Sequence, residues 1–202
     1  MHSFVAALGL TFVPLFIVID AFGNLPFVLA LTEGMSQRER RRVIHIATAT
    51  AAIVGLAFLF FGQLILRALG ISVGAFAIAG GIILLALSVK YLLTGRMVEA
   101  IREEMVAVVP IGTPLVAGPA TITALLLLAG QFPLGAVLLS FVLNLAISWG
   151  LFLLGNQVIG FLGQGGVRAI SSVFNLLLAA IAITMLLRGL SLLGIISVSI
   201  PF

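Results

Sequence analysis

The sequence predicts an all-α membrane protein with six transmembrane helices, arranged as two inverted three-helix repeats in which helices 1 and 4 are broken. Of the 202 residues, 62% are hydrophobic and only 8% are charged, whereas soluble domains carry about 25% charged residues. Long runs without a formal charge occupy most of the chain, over 43–66, 68–89, 105–167 and 169–187. A spanning helix needs about 20 apolar residues, so these runs are interpreted as membrane spans.

Helix is expected in every span, because an open sheet cannot satisfy its edges in lipid and the alternation of a barrel strand is absent. The long run from 105 holds two spans, divided at 130–133. Ser36-Gln37-Arg38-Glu39 has the form of a capping box before span 2. The six spans form one membrane domain over 1–202, at about 4–31, 43–66, 72–94, 106–129, 133–155 and 169–192.

Span 1 contains the segment Ile19-Asp-Ala-Phe-Gly-Asn-Leu-Pro26, which predicts an interruption near Gly23 and Asn24. Asp20 is the only acidic residue well inside a span. It either caps the restarted half-helix, pairs with a backbone N–H across the bundle, or handles substrate or protons. Asn24 caps a half-helix or faces a ligand, and the two roles are compatible.

Span 4 opens with a segment, 109–123, that is unusually rich in helix-breaking residues. It contains Pro110, Pro114, Pro119, Gly112 and Gly118. Proline is favoured at the first position of a helix, so the pattern predicts a break near Gly118 and a restart at Pro119. Broken backbone at membrane depth needs protein or a water-filled cavity around it and is typical of a transporter's binding site. The alternative is a proline kink packed against a neighbouring helix.

The two predicted breaks occupy equivalent places in two halves of the chain. A shift of 95 residues places Gly23 on Gly118, and a shift of 96 places Pro14 on Pro110. Three spans per repeat put the second copy upside down in the membrane, which is the plan of many secondary transporters. We therefore predict repeat 1 over about 1–95 and repeat 2 over about 105–194.

Two further features of the spans have competing interpretations. Asn144, in the middle of span 5, forms either a helix–helix hydrogen bond or part of a ligand site. The small residues from Gly74 to Gly81 in span 3 predict close helix packing rather than a nucleotide loop.

Arginines predict the orientation in the membrane. Seven lie in loops on one side of the membrane and two in loops on the other, which places the seven-arginine side in the cytoplasm and both termini outside. The expected location is the cell (inner) membrane. No basic segment precedes Phe4, so a cleaved signal peptide is not expected. The seven are Arg38, Arg40, Arg41, Arg42, Arg96, Arg102 and Arg168, and the two are Arg67 and Arg188.

Composition argues against several classes of function. There is no cysteine, and the histidines, His2 and His45, are far apart, so no metal site or cofactor is expected. The sequence has no Ser–His arrangement, no His-Glu-x-x-His motif and no paired acids within the membrane, so it does not suggest an enzyme. The net charge of +4 comes from loop arginines and does not indicate nucleic-acid binding. The expected partners are the bilayer and a small molecule, and the sequence is compatible with a homo-oligomer.

The segments 19–26 and 112–123 resemble the two motifs of the MarC family of membrane proteins. Those motifs are Asp-Pro-x-Gly-Asn-x-Pro in span 1 and Pro-Leu-x-x-Gly-Pro-Gly in span 4. Ala21 replaces the usual proline, and Ala120 replaces the usual second glycine. The resemblance covers essentially the whole chain.

The resemblance implies transport of small neutral amino acids, glycine and alanine especially. A zwitterion suits two facing helix breaks, with its carboxylate at a half-helix N-terminus and its ammonium at unwound carbonyls or Asp20. The alternatives are an exporter of drugs or other metabolites with the same fold, an intramembrane enzyme, and a scaffold. Asp20 is the candidate for proton coupling. The predicted substrate-binding residues are Asp20, Gly23, Asn24, Gly118, Ala120, Thr121, Thr123 and Asn144.

Overall fold

The computed structural model describes residues 4–32, 34–94 and 118–197. These ranges contain seven helices and no strand, which confirms the all-α class. Five helical segments are long and apolar enough to cross a membrane. The count of six is not confirmed, because the first half of predicted span 4 falls in 95–117, outside the described residues. The helices are α1 (Phe4–Ile19), α2 (Ala21–Leu31), α3 (Gln37–Ala68), α4 (Val73–Thr94), α5 (Pro119–Ala129), α6 (Leu134–Leu153) and α7 (Gly155–Leu192).

The first span is interrupted at Asp20, three residues before the predicted position. α1 ends at Ile19 and α2 begins at Ala21, with Asp20 between them at φ 43°. The prediction of a break at Gly23 and Asn24 was therefore wrong in position, because both residues lie in the first turns of α2. The physical reason is that the Asp20 side chain itself caps α2, so the helix restarts directly after it.

α3 begins at the predicted capping box. The Ser36 hydroxyl accepts the Glu39 N–H at 3.3 Å, and the Glu39 carboxylate accepts the Ser36 N–H at 2.9 Å. The helix therefore starts at Gln37, six residues before the predicted membrane span that begins at 43. Its 32 residues reach roughly 48 Å, against about 30 Å for the hydrocarbon core. The arginine-rich first turns extend beyond the length that the membrane requires.

The predicted helix start at Pro119 is confirmed, while the first half of span 4 lies outside the described residues. Gly118 is the N-cap of α5 in an extended conformation, φ −70° and ψ 175°, and Pro119 is the first helical residue. α5 ends at Ala129, and α6 follows at Leu134, so the division at 130–133 is also confirmed. The rest of the proline-rich segment, 109–117, lies outside the described residues.

α7 contains the sixth predicted span and is longer than expected. It runs over 38 residues but has a non-helical glycine, Gly163, at φ 69° and ψ 164°. The part long enough to span the membrane is Gly165–Leu192, which starts four residues before the predicted 169. The positive φ at Gly163 is a conformation that glycine adopts without the steric cost of a β-carbon.

α4 and α7 form the closest helix pair, and the small residues of α4 explain it. A β-carbon on Gly74 would lie 2.9 Å from the Gly189 carbonyl oxygen, and one on Gly81 would lie 2.9 Å from the Ala182 oxygen. Only glycine allows the two backbones to approach this far. This confirms the interpretation of Gly74 to Gly81 as a packing surface.

The remaining pairings connect the two halves of the chain. α1 packs against α6 and α3 against α5, while α2 packs against α7 and α4 against α5. α3 also packs against α6, and α1 against α5. Fully buried residues of one shared core come from five of these helices, namely Leu15, Leu84, Leu125, Phe141 and Leu178. Exposed apolar side chains on α3, such as Ile53, Phe60, Phe61 and Leu64, are those expected of a surface that faces lipid.

The orientation remains a prediction, and reporter fusions test it. Fusions placed after Arg42, Arg96 and Arg168 should all report the cytoplasm, because the loops that carry most arginines are retained there. Fusions after Arg67 and after Gly130 are the matched controls and should report the outside. A periplasmic signal at any of the first three positions would contradict the six-span arrangement.

Candidate substrate site at the interrupted helices

The break in the first span is built by Asp20, which is only 1% exposed. Its Oδ1 accepts the Gly23 N–H at 3.0 Å, in the arrangement of an N-cap. A β-carbon on Gly23 would overlap the carboxylate, with Asp20 Cγ only 2.7 Å away. Gly23 is therefore required for the cap. Aspartate is one of the few residues other than glycine that adopt positive φ readily, which suits the φ of 43° at Asp20.

Asn24 completes the other side of the break. The Gly23 N–H would ordinarily bond to the Ile19 carbonyl, but it is taken by Asp20. The Asn24 Nδ2 donates to the Ile19 oxygen at 2.9 Å instead. Asn24 is 4% exposed. Asp20 and Asn24 thus satisfy the backbone on both sides of the interruption. Asp20 caps the restarted helix as expected, whereas Asn24 lies within α2 and bonds the last carbonyl of α1 instead of capping a helix that begins after it.

Asn175 of α7 faces the same break and was not among the predicted site residues. Its Nδ2 lies 3.5 Å from Asp20 Oδ2, at the outer limit of a hydrogen bond, and donates to the Ser171 carbonyl at 2.8 Å. Its Oδ1 is buried without a hydrogen-bond partner in the described part of the chain. The available signal was a carboxamide inside span 6, but its partner lies 155 residues away and cannot be inferred from spacing.

The start of α5 supplies the second group of predicted residues. Gly118 and Ala120 are buried, and Thr121 and Thr123 are 2% and 1% exposed. A β-carbon on Gly80 of α4 would overlap the Thr123 side chain, so this threonine packs against α4. The predicted threonines therefore point into the helix bundle rather than toward lipid.

Asn144 lies apart from the break. Its Nδ2 donates to the Phe12 carbonyl of α1 at 3.2 Å and to the Ser140 carbonyl at 2.9 Å. Phe12 precedes Asp20 by eight residues, roughly 12 Å along a helix. Of the two interpretations of Asn144, the structure therefore shows the helix–helix hydrogen bond. A second polar contact, the Thr11 and Ser140 hydroxyls at 2.6 Å, joins the same two helices.

Two clefts lie on either side of the break. The α1–α5–α7 cleft, about 220 Å³, is lined mainly by apolar side chains, including Pro14, Val18 and Ala124. The α2–α3–α7 cleft, about 560 Å³, includes Pro26 and Arg168. Neither lining, as described, includes Asp20, Asn24, Thr121 or Thr123.

The order of residues along the helices places the break at Asp20 between the two clefts. Asp20 falls between Val18, which lines the first cleft, and Pro26, which lines the second. Asn175 on α7 likewise falls between Leu177 in the first cleft and Arg168 in the second. The start of α5 is adjacent, because Ala124, one turn after Ala120, shares the first cleft with Val18. The start of α5 thus belongs to the same core as the break at Asp20, which both Ala21 and Ala120 join. Within the described ranges, no three His, Asp or Glu side chains are grouped as metal ligands would be.

The sequence profile of the MarC family integral membrane proteins matches residues 5–193. The chain belongs to the MarC family. A UPF0056 membrane protein of Methanocaldococcus jannaschii is 34% identical over 193 residues, 90% of this chain and 94% of that protein. One of Archaeoglobus fulgidus is 34% identical over 193 residues, 90% and 91% of the two chains. The UPF0056 inner membrane protein YhgN of Escherichia coli K12 is 31% identical over 185 residues, which are 87% of this chain and 92% of that protein.

Membership in the MarC family confirms the resemblance of the motifs at 19–26 and 112–123. It also establishes an integral membrane protein that crosses the bilayer several times, with bacterial relatives named as inner membrane proteins. No solved structure matches the chain. The names of the relatives specify the membrane and no substrate.

Proposed function

We propose that this MarC protein is a secondary transporter of small neutral amino acids, glycine and alanine, coupled to protons or another ion, and not an enzyme. The observation that supports this most directly is the interrupted first span, whose buried carboxylate lies between two clefts at opposite ends of α1–α2 and of α7. A closed site between two clefts is what alternating access requires in its occluded state.

The chemistry at the breaks suits a small zwitterion. The N-terminus of α5 offers the positive end of a helix dipole, and because Pro119 has no N–H, the first amide of that helix belongs to Ala120. A substrate carboxylate would bind there. The ammonium would donate to the Asn175 Oδ1, which lacks a partner in the described part of the chain. The small residues Gly118 and Ala120 favour a substrate without a large side chain.

The packing pattern supports the inverted repeat on which such a mechanism depends. A shift of about 95 residues makes α2 the counterpart of α5, α3 that of α6 and α4 that of α7. Exchange of the repeats then turns the pair α2–α7 into α5–α4 and the pair α2–α6 into α5–α3, and all four pairs pack together. The pairs α3–α6 and α4–α7 are unchanged by the exchange, and each is also present. Under this proposal, rocking of one repeat against the other opens the two clefts in turn.

Uptake by purified protein in liposomes tests the proposal. Labelled glycine and alanine should accumulate under an inward pH gradient and exchange without one, while protein-free liposomes should show neither. Leucine should compete poorly, because the site is lined by small residues. Absence of both uptake and exchange for glycine and alanine would contradict the amino-acid assignment.

The second candidate is an exporter of drugs or other apolar metabolites with the same fold. It is favoured by one observation, the largely apolar lining of the α1–α5–α7 cleft, with Arg188 at its edge bonded to Gln131 at 2.6 Å. The same liposomes distinguish the two functions. An exporter should move a hydrophobic cationic dye and leave labelled glycine outside.

A further inference from the structure

The α2–α3–α7 cleft is a second polar site, separate from the interrupted helices. It lies where the end of α2, the start of α3 and the first part of α7 meet, and its lining includes Thr32, Arg40, Asn156 and Arg168. The positive-inside pattern places this end of the bundle at the cytoplasmic surface. Its volume of about 560 Å³ is much larger than a water-sized gap.

Arg40 is held in this cleft with part of its binding capacity unused. It is only 9% exposed, and one guanidinium nitrogen, Nη2, donates to the Phe152 carbonyl at the end of α6 at 3.2 Å. Its Nε is buried without a hydrogen-bond partner in the described part of the chain. Gly155 makes room for it, because a β-carbon there would lie 3.0 Å from Nη2. A buried guanidinium with an unused donor is costly unless a ligand satisfies it.

The charge around Arg40 is not balanced by the described carboxylates. In the described ranges the acidic residues are Asp20 and Glu39, and neither is in the cleft lining. Asp20 caps α2, and Glu39 is occupied by the Ser36 cap. Arg168 adds a second positive charge, and the N-terminus of α3 adds the positive end of its dipole. These described groups favour an anion in the cleft.

We propose that the α2–α3–α7 cleft binds the phosphate headgroup of an anionic phospholipid. Arginine forms paired hydrogen bonds with phosphate oxygens, and basic pockets between transmembrane helices at the cytoplasmic side bind lipid headgroups. The polar side chains of the cleft are interleaved with apolar ones, Pro26, Leu29 and Ile159. These suit the glycerol and the upper acyl carbons of a lipid, whereas a free phosphate ion would leave them without a partner.

Thermal unfolding of the full chain in detergent, without substrate, tests this proposal. Dioctanoyl phosphatidylglycerol should raise the Tm in a saturable way, because a ligand of the folded state stabilises it. Dioctanoyl phosphatidylcholine, which has the same acyl chains and no net charge, should not. Arg168→Gln, an exposed position whose loss should not affect folding, should weaken the apparent affinity for phosphatidylglycerol about tenfold. Arg40→Lys keeps the charge but not the paired geometry, and should weaken it similarly.

Arg41→Gln is the matched control. Arg41 is exposed on the same turn of α3 and is not part of the described lining, so its variant should bind phosphatidylglycerol as the wild type does. Equal weakening by Arg41→Gln and Arg168→Gln would overturn the site in favour of general surface charge. Equal stabilisation by the two lipids would also overturn it. An equal Tm rise with inorganic phosphate alone, lost in Arg168→Gln, would assign the cleft to a soluble anion and overturn the lipid assignment. None of these results depends on whether the protein transports amino acids.

Discussion

Asp20→Asn is expected to abolish glycine uptake driven by a pH gradient, while exchange of internal for external glycine continues. Asparagine is as good an N-cap as aspartate, so its Oδ1 can still accept the Gly23 N–H. Its new amide nitrogen would replace Oδ2, which makes only a 3.5 Å contact with Asn175 Nδ2, at the outer limit of a hydrogen bond. The variant therefore keeps the helix break and loses only the titrating group.

The two transport modes separate proton coupling from binding in this experiment. Labelled glycine is measured in liposomes under an imposed pH gradient, and then in counterflow without a gradient. Unchanged pH dependence in Asp20→Asn would leave Asp20 as a structural cap. Loss of counterflow as well would place the charge of Asp20 in substrate binding rather than in proton transfer.

Gly118→Val is expected to abolish glycine binding and leave the protein inserted and folded. Gly118 is buried, and its extended φ and ψ are accessible to valine, so the substitution adds bulk without backbone strain. Gly118 makes no side-chain cap that could be lost. A poorer N-cap residue costs about 1 kcal/mol of stability. The isopropyl group would occupy the space before the N-terminus of α5, where the proposed carboxylate binds. Titration of the purified variant with glycine measures the loss.

Local chemistry explains which parts of the fold could be predicted from the sequence. The start of α3 follows from the Ser36 and Glu39 capping box, and the start of α5 from a glycine followed by proline at the first helical position. Each of these signals acts within one helical turn. Both were therefore confirmed at the predicted residues.

The break in the first span shows where local reasoning reached its limit. The segment 19–26 offers several residues at which a helix can stop, and the choice depends on which side chain caps the restart. The contact of Asp20 with Asn175 joins residues 155 positions apart, and that of Asn144 with Phe12 joins residues 132 apart. Such partners follow from the packing of α7 and α6 against α1 and α2, which no spacing in the sequence indicates.

The central claim is that a small amino acid binds where α5 restarts beside the break at Asp20, and a calorimetric titration with glycine tests it most directly. The wild type and Gly150→Val should both bind glycine, because a β-carbon on Gly150 of α6 meets no atom within 4 Å. Gly118→Val should show no binding heat while eluting as a single folded species. Glycine binding by Gly118→Val with wild-type affinity would contradict the account.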